Sequence, residues 1–153
     1  MPFTIFESPF GLLTLGAGET GLRHLYFPGT APPLDESEHD GAQFTVVTEQ
    51  LSEYFAGERT RFELPLDCSG TPFQRSVWDA LRGIPYGTTT TYGALARALG
   101  AQPRAVGAAV GATPIPIVIP CHRVIASDGS LGGYSGGSGL KAKRWLLHLE
   151  GAL

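Results

Sequence analysis

Thr91-Tyr92-Gly93-Ala94-Leu95-Ala96-Arg97-Ala98-Leu99-Gly100-Ala101-Gln102-Pro103-Arg104-Ala105-Val106-Gly107-Ala108-Ala109-Val110 reads as two short helices joined by a tight turn. The first is expected to start at Thr91 or Tyr92, run to Leu99 and stop at Gly100, a natural C-terminal cap. Ala101-Gln102-Pro103 makes the turn, and the second helix, Arg104 to Val110, is built almost wholly of Ala, Val and Gly. Two helices so joined resemble a helix-turn-helix. The small residues Ala105, Gly107, Ala108 and Ala109 let the second helix approach another surface closely. The sequence leaves open whether that surface is a nucleic acid or a neighbouring helix.

Working outward, Thr71-Pro72-Phe73-Gln74 has the form of a capping box, with Pro72 at the first helical position and Gln74 reaching back to the cap. Phe73, Val77 and Leu81 are expected to form one face of that helix, and Gly83 to Gly87 breaks it. The final helix is expected from Gly139 to Glu150, with Ser138 as cap and Gly151 as stop. The first seventy residues have a different texture. Phe3 to Phe6, Leu12 to Leu15 and Leu22 to Phe27 form a meander of short strands separated by turn residues. Thr30 to Gly41, polar and acidic, is expected to be a mobile surface loop. Phe44, Val47, Leu51, Tyr54 and Phe55 recur at helical spacing between Ala42 and Ala56, and Leu64 to Cys68 fits a further strand. The fold class is α/β in the α+β sense. A small strand-rich N-terminal domain spans 1–68, and a mostly helical C-terminal domain spans 71–153.

The chain has 153 residues, enough for a real core, with 42% hydrophobic. Its longest strongly apolar stretch, Ile115 to Ile119, is far below the roughly 20 residues of a membrane helix. No basic residue precedes Arg23, so no signal peptide is expected, and Pro2 excludes myristoylation. Cys68 and Cys121 are too few for a disulfide framework and form no CxxC pair, so no metal is expected. These features suit a soluble, cytoplasmic monomer with no membrane partner. The net charge of −3 conceals an asymmetry. Residues 1–70 carry three arginines against eleven acids, a net −8, whereas residues 71–153 carry eight basic residues against three acids, a net +5. Such a split points to a polyanion partner for the basic half.

The sharpest chemical feature is Pro120-Cys121-His122-Arg123-Val124, entered from the apolar, extended run Ile115 to Ile119. A cysteine attacks as its thiolate and needs a neighbouring base or positive field. On a strand, His122 and Cys121 would point to opposite sides, so a bridging water or a local turn would have to connect them. A carboxylate orienting the imidazole would complete a Cys-His-acid relay, and Glu150 is the best placed of the three acids in this half. Cys68, between Asp67 and Ser69, has no histidine nearby in sequence and is assigned no function.

The run Ile117-Val118-Ile119-Pro120-Cys121-His122-Arg123-Val124-Ile125 resembles the active-site signature of the O6-alkylguanine-DNA alkyltransferases, or methylated-DNA–protein-cysteine methyltransferases. Further segments resemble the family in the same order: Thr71-Pro72-Phe73-Gln74 with Val77-Trp78, Ile84-Pro85-Tyr86-Gly87, Tyr92-Gly93, Arg104-Ala105-Val106-Gly107, Gly133-Tyr134-Ser135-Gly136-Gly137 and Lys143-Arg144-Trp145-Leu146-Leu147 to Glu150-Gly151. Several motifs in register over about eighty residues make accident very rare. Residues 1–70 fit more loosely, as the strand-rich, ribonuclease H-like N-terminal domain.

The resemblance implies direct-reversal repair, in which double-stranded DNA is bound from the minor groove and the alkylated guanine is flipped into a pocket. It implies that Cys121 takes the alkyl group in one turnover without a cofactor, with O4-alkylthymine as a further substrate left open. It makes Arg104 the finger that replaces the flipped base. Ala105, Gly107 and Ala108 become the close-approach face, and Tyr92 crowds the 3′ phosphate. By the same resemblance Glu150, His122 and a water generate the thiolate, while Tyr92 and Lys143 are donors to the departing guanine. The Cys121 and Val124 carbonyls read its amino group, and Ser135 with the Tyr134–Gly136 segment contacts O6. Three departures stand out. Thr113 occupies a position usually Asn, the turn before Arg104 is about two residues short, and no N-terminal zinc site is expected. The competing readings are a lesion-binding relative that lacks the nucleophile, a regulator with polar readers on its second helix, and a cysteine hydrolase that turns over.

Overall fold

The computed structural model describes residues 1–132 and 139–153. Three antiparallel strands, β1 (Phe3–Ser8), β2 (Gly11–Ala17) and β3 (Leu22–Tyr26), form a meander in the order β1-β2-β3. Phe3 pairs with Gly16 and Leu15 with Leu25, so that Leu13 and Leu15 lie fully buried. The segment expected to be a mobile loop, Thr30 to Gly41, holds a short 3-10 turn, Glu36–Glu38, and a second, Gly41–Phe44, takes the place of the first turn of the helix expected from Ala42. The side chains of Asp35 and Asp40 cap them. Helix α1 (Thr45–Phe55) follows and buries Leu51 and Tyr54. The strand expected over Leu64 to Cys68 is absent. Leu66 makes only an isolated bridge to Leu22, flanked by Leu22 N–H to Pro65 O at 3.0 Å and Asp67 N–H to Leu22 O at 2.8 Å. Pro65 has no N–H to donate, which limits this segment to a single rung.

Helix α2 (Pro72–Arg82) starts as expected. Thr71 Oγ1 accepts from Gln74 N at 3.1 Å and Gln74 Oε1 accepts from Thr71 N at 3.0 Å. Its inner face is Val77, Trp78 and Leu81. Phe73, expected on that face, is 37% exposed, because Trp78 takes the inward position and donates its indole N–H to Ala109 O at 2.9 Å. Strand β4 (Thr90–Thr91) runs directly into α3 (Tyr92–Leu99), and Thr91 also caps that helix through Ala94 N at 3.0 Å. Gly100 ends α3 in the left-handed conformation at φ 63°, a region that costs an L-residue roughly 1–2 kcal/mol. Helix α4 (Pro103–Gly111) starts on Pro103, whose missing N–H costs nothing at a first turn.

The final helix α5 (Leu140–Leu149) begins after Gly139; the expected cap Ser138 lies outside the described residues. Buried side chains from the sheet, α1, α2, α3, α4 and α5 form one contiguous apolar cluster. No helix among the described residues is long and apolar enough to cross a membrane.

Candidate active site and DNA-facing surface

Cys121 sits where two tight turns meet. The run Ile115 to Ile119, expected to be extended, is instead a compact loop closed by Ile119 N–H to Ile115 O at 2.9 Å. Ile117 lies at φ 75°, the left-handed region that β-branched residues avoid, with its side chain held at 1% exposure in the core. Pro120, at φ −78° and ψ 61°, is the centre of an inverse γ-turn closed by Cys121 N–H to Ile119 O at 2.7 Å. Cys121–Arg123 then forms one 3-10 turn, so the strand alternation considered for Cys121 and His122 does not apply. Strand β5 (Val124–Ile125) follows at once and pairs in parallel with β4, Thr90 with Val124 and Thr91 with Ile125. This pairing holds the cysteine turn beside the start of α3, and therefore beside Tyr92.

The expected partners of the cysteine converge. His122 is fully buried, and its Nε2 lies 2.7 Å from Glu150 Oε2. Arg123 donates from Nε to Glu150 Oε1 at 2.8 Å and from Nη2 to Oε2 at 3.0 Å. Tyr54, from α1, donates its hydroxyl to Glu150 Oε2 at 2.6 Å. Burial alone would raise the Glu150 pKa, but hydrogen bonds from His122, Arg123 and Tyr54 hold it down at about 2. Burial lowers the His122 pKa below 6.5, against the pull of Glu150. An ionised carboxylate only accepts, so Nε2 carries the ring proton and a neutral His122 keeps a bare, basic Nδ1. Among the described residues His122 Nδ1 has no hydrogen-bond partner. Arg123, two residues after the cysteine, directs its charge to Glu150 and donates Nη1 to Ile84 O at 2.7 Å.

Lys143 is fully buried and donates to Val124 O at 2.7 Å and to Leu131 O. Burial lowers its pKa to about 8, opposed by the charge of Cys121. Its Nζ lies 6.0 Å from the centroid of the Tyr92 ring. The Tyr92 pKa is raised, by burial and then by the Cys121 charge, so its phenol stays protonated. Cys121, Tyr92, Val124 and Lys143 thus form one group around the turn. Tyr134, Ser135 and Gly136 lie outside the described residues.

Helix α4 has two faces. Val106, Ala109 and Val110 are buried, whereas Arg104, Ala105, Ala108, Gly111 and Ala112 are exposed and Gly107 is half-buried. The exposed positions recur one helical turn apart. Helix–helix packing therefore uses one face, and the other, a stripe of small residues led by Arg104, is open. Thr113, where the family usually has Asn, donates its hydroxyl to Val110 O at 2.7 Å and closes the end of α4.

Two residues of the site were not legible as such in the sequence. Tyr54 was read only as a helix-face apolar residue, since its partner lies 96 residues away. Ile117 gave no signal for a left-handed turn.

Residues 72–152 match the family model for the 6-O-methylguanine DNA methyltransferase DNA-binding domain, and residues 1–68 that for its ribonuclease-like domain. The chain belongs to the 6-O-methylguanine DNA methyltransferase family. The methylated-DNA–protein-cysteine methyltransferase of Methanosarcina acetivorans is 43% identical over 99% of both chains. The DNA base-flipping protein of Thermus thermophilus is 47% identical over 95% of this chain and 97% of its own. The Mycobacterium tuberculosis OGT, solved in complex with DNA, matches with a TM-score of 0.89 at 44% identity, covering 98% of this chain and 92% of that one. This methyltransferase-family chain carries its sheet, its two joined helices α3 and α4 and its cysteine turn in a single polypeptide.

Proposed function

We propose that this chain repairs O6-alkylguanine in double-stranded DNA by direct reversal, moving the alkyl group irreversibly onto Cys121. The observation that carries the reading is the buried Glu150–His122 pair at 2.7 Å, which leaves a basic Nδ1 on the residue next to the cysteine. The open face of α4 enters the minor groove, where Ala105, Gly107 and Ala108 permit close approach in a channel about 6 Å wide. Arg104 fills the space of the extruded base, and Tyr92 turns the nucleotide out. Residues 71–153 carry the DNA contacts and the chemistry, and residues 1–68 support them.

His122 Nδ1 takes the Cys121 proton through a water, while Glu150 stabilises the imidazolium. The thiolate attacks the alkyl carbon in line. The S–C bond forms, the C–O6 bond breaks, and the electron pair passes to the guanine. The base regains a proton from the Tyr92 phenol or the Lys143 ammonium. The Val124 carbonyl, held by Lys143, keeps a second lone pair with which to accept from the guanine amino group. Tyr134, Ser135 and Gly136 are assigned to the O6 side of the pocket on the family resemblance alone. A thioether offers no leaving path, so each chain acts once, as a cytoplasmic monomer and without a cofactor.

The competing reading is lesion binding without transfer, favoured by the similarity to a DNA base-flipping protein. Cys121 argues for transfer, because binding alone requires no nucleophile. The test is to incubate the protein with excess O6-methylguanine DNA and quantify guanine restored after digestion. Restoration should plateau at one lesion per chain. Continued release would indicate a hydrolase, and no restoration with retained binding would indicate the base-flipping reading.

A further inference from the structure

We infer that Tyr54 is a positioning residue for the proton relay: its hydroxyl on Glu150 sets how tightly the carboxylate holds His122. The inference deepens the transferase reading and rests on it for its catalytic consequence. Tyr54 belongs to α1, in the segment matched by the ribonuclease-like model, outside the helix-turn-helix. Its ring is fully buried, with ring centroids at 5.4 Å from Phe55, 5.3 Å from Phe62 and 6.4 Å from Tyr86. That box fixes the direction of the hydroxyl, which meets Glu150 Oε2 at 2.6 Å.

The same oxygen receives His122 Nε2 at 2.7 Å and Arg123 Nη2 at 3.0 Å. A carboxylate offers about two lone-pair sites per oxygen, so three donors on Oε2 compete for its electron density. Each bond made by Tyr54 or Arg123 weakens the hold of Glu150 on the imidazole. The charged and titratable groups acting on the pair come from every packed element. Tyr54 comes from α1, Tyr86 from the turn after α2, Arg123 from the cysteine turn and Lys143 from α5. Tyr86 reaches Leu149 O at 3.4 Å and places its ring 5.7 Å from the Arg123 guanidinium, so it does not touch the carboxylate. Burial, then the charge of Glu150, hold the Tyr54 phenol far above its usual pKa range, which makes it a donor at every working pH. The imidazole accordingly stays neutral until it takes the Cys121 proton. Without the Tyr54 hydroxyl, Glu150 holds His122 more strongly, and the base becomes protonated before reaction at a higher pH.

Two full-length variants test this: Tyr54→Phe, and 3-fluorotyrosine installed at position 54, whose more acidic phenol is a stronger donor. The readouts are the NMR titration midpoint of the His122 ring and the pH profile of the single-turnover transfer rate on O6-methylguanine DNA. Tyr54→Phe should raise the midpoint and move the low-pH limb upward, slowing transfer on that limb by about three- to ten-fold, a small part of the 10²–10⁴ a general base supplies. Fluorotyrosine, which keeps the packing, should move midpoint and limb the other way, and neither variant should alter DNA affinity. An unmoved midpoint in both variants overturns the inference. A wild-type protein whose His122 titrates as expected but which transfers nothing would overturn the transferase reading instead.

Discussion

At Glu150, four hydrogen bonds from three side chains meet on a carboxylate that burial alone would tend to neutralise. The folded chain holds its pKa at about 2, against 4.5 for the ordinary side chain. A carboxyl depressed in this way stabilises the fold fully above the ordinary value, and that contribution disappears as pH falls from 4.5 towards 2. Glu150→Gln should therefore cost a few kcal/mol at neutral pH, since it leaves the Arg123 charge buried without its counter-charge. It should also flatten the acid limb of the stability profile. Denaturant melts of both proteins at neutral pH and across the acid range would show it; a parallel acid limb in the variant would mean that other carboxylates govern acid unfolding. The same substitution should slow transfer by about 10²-fold or more, because the imidazolium loses its stabilising charge.

The elements differ in how far their own residues specify them. The cap of α2 was legible because Thr71 and Gln74 satisfy each other within one turn, and Gly100 because the end of a helix favours a left-handed residue. The open face of α4 was half legible. Its small residues were plain, but which face packs depends on Trp78, 31 residues upstream of its acceptor on Ala109. The local turn left open at Cys121 and His122 is what forms, but the run leading into it, expected to be extended, folds back on itself. An apolar run such as Ile115 to Ile119 carries the same pattern whether extended or folded back, and its compact form depends on core packing around Ile117. Tyr54 was invisible for the same reason, its role being created by a contact between distant segments. At this scale Ala108→Glu is the informative change. It adds a charge to an exposed position of α4, so melting should shift by no more than about 0.5 kcal/mol. DNA affinity should fall by about ten-fold or more through repulsion from the phosphates, as a gel-shift or anisotropy titration would record. Unchanged affinity would move the DNA surface elsewhere.

Across the whole molecule, the strand-rich segment is more than a neighbour of the chemistry. Phe10 and Phe55 meet Trp145 of α5 at ring-centroid distances of 5.3 and 5.9 Å, and the next residue along from Phe55, Tyr54, bonds to Glu150 just beyond the end of the same helix. Helix α5, which also carries Lys143, is thus fastened at two points by residues from the first half of the chain. Trp145→Ala should destabilise the protein by about 2–3 kcal/mol, less than a fully buried Trp because this one is 37% exposed. It should slow alkyl transfer more than it weakens DNA binding, since the α4 face is not involved; thermal melts, transfer rates and binding titrations on one preparation would separate the effects. Equal losses in binding and transfer would argue against a specific hold on α5. Charge is divided along the same line, with the net +5 on residues 71–153, which include α4 and Arg104, and the net −8 on the supporting segment. All of these arguments depend on Cys121 as the acceptor. The most direct measurement is the intact mass of the protein after incubation with excess DNA containing O6-methylguanine. The account predicts a gain of one methyl group, about 14 Da, on every chain and none in Cys121→Ser. An unchanged wild-type mass, or a gain that persists in Cys121→Ser, would contradict it.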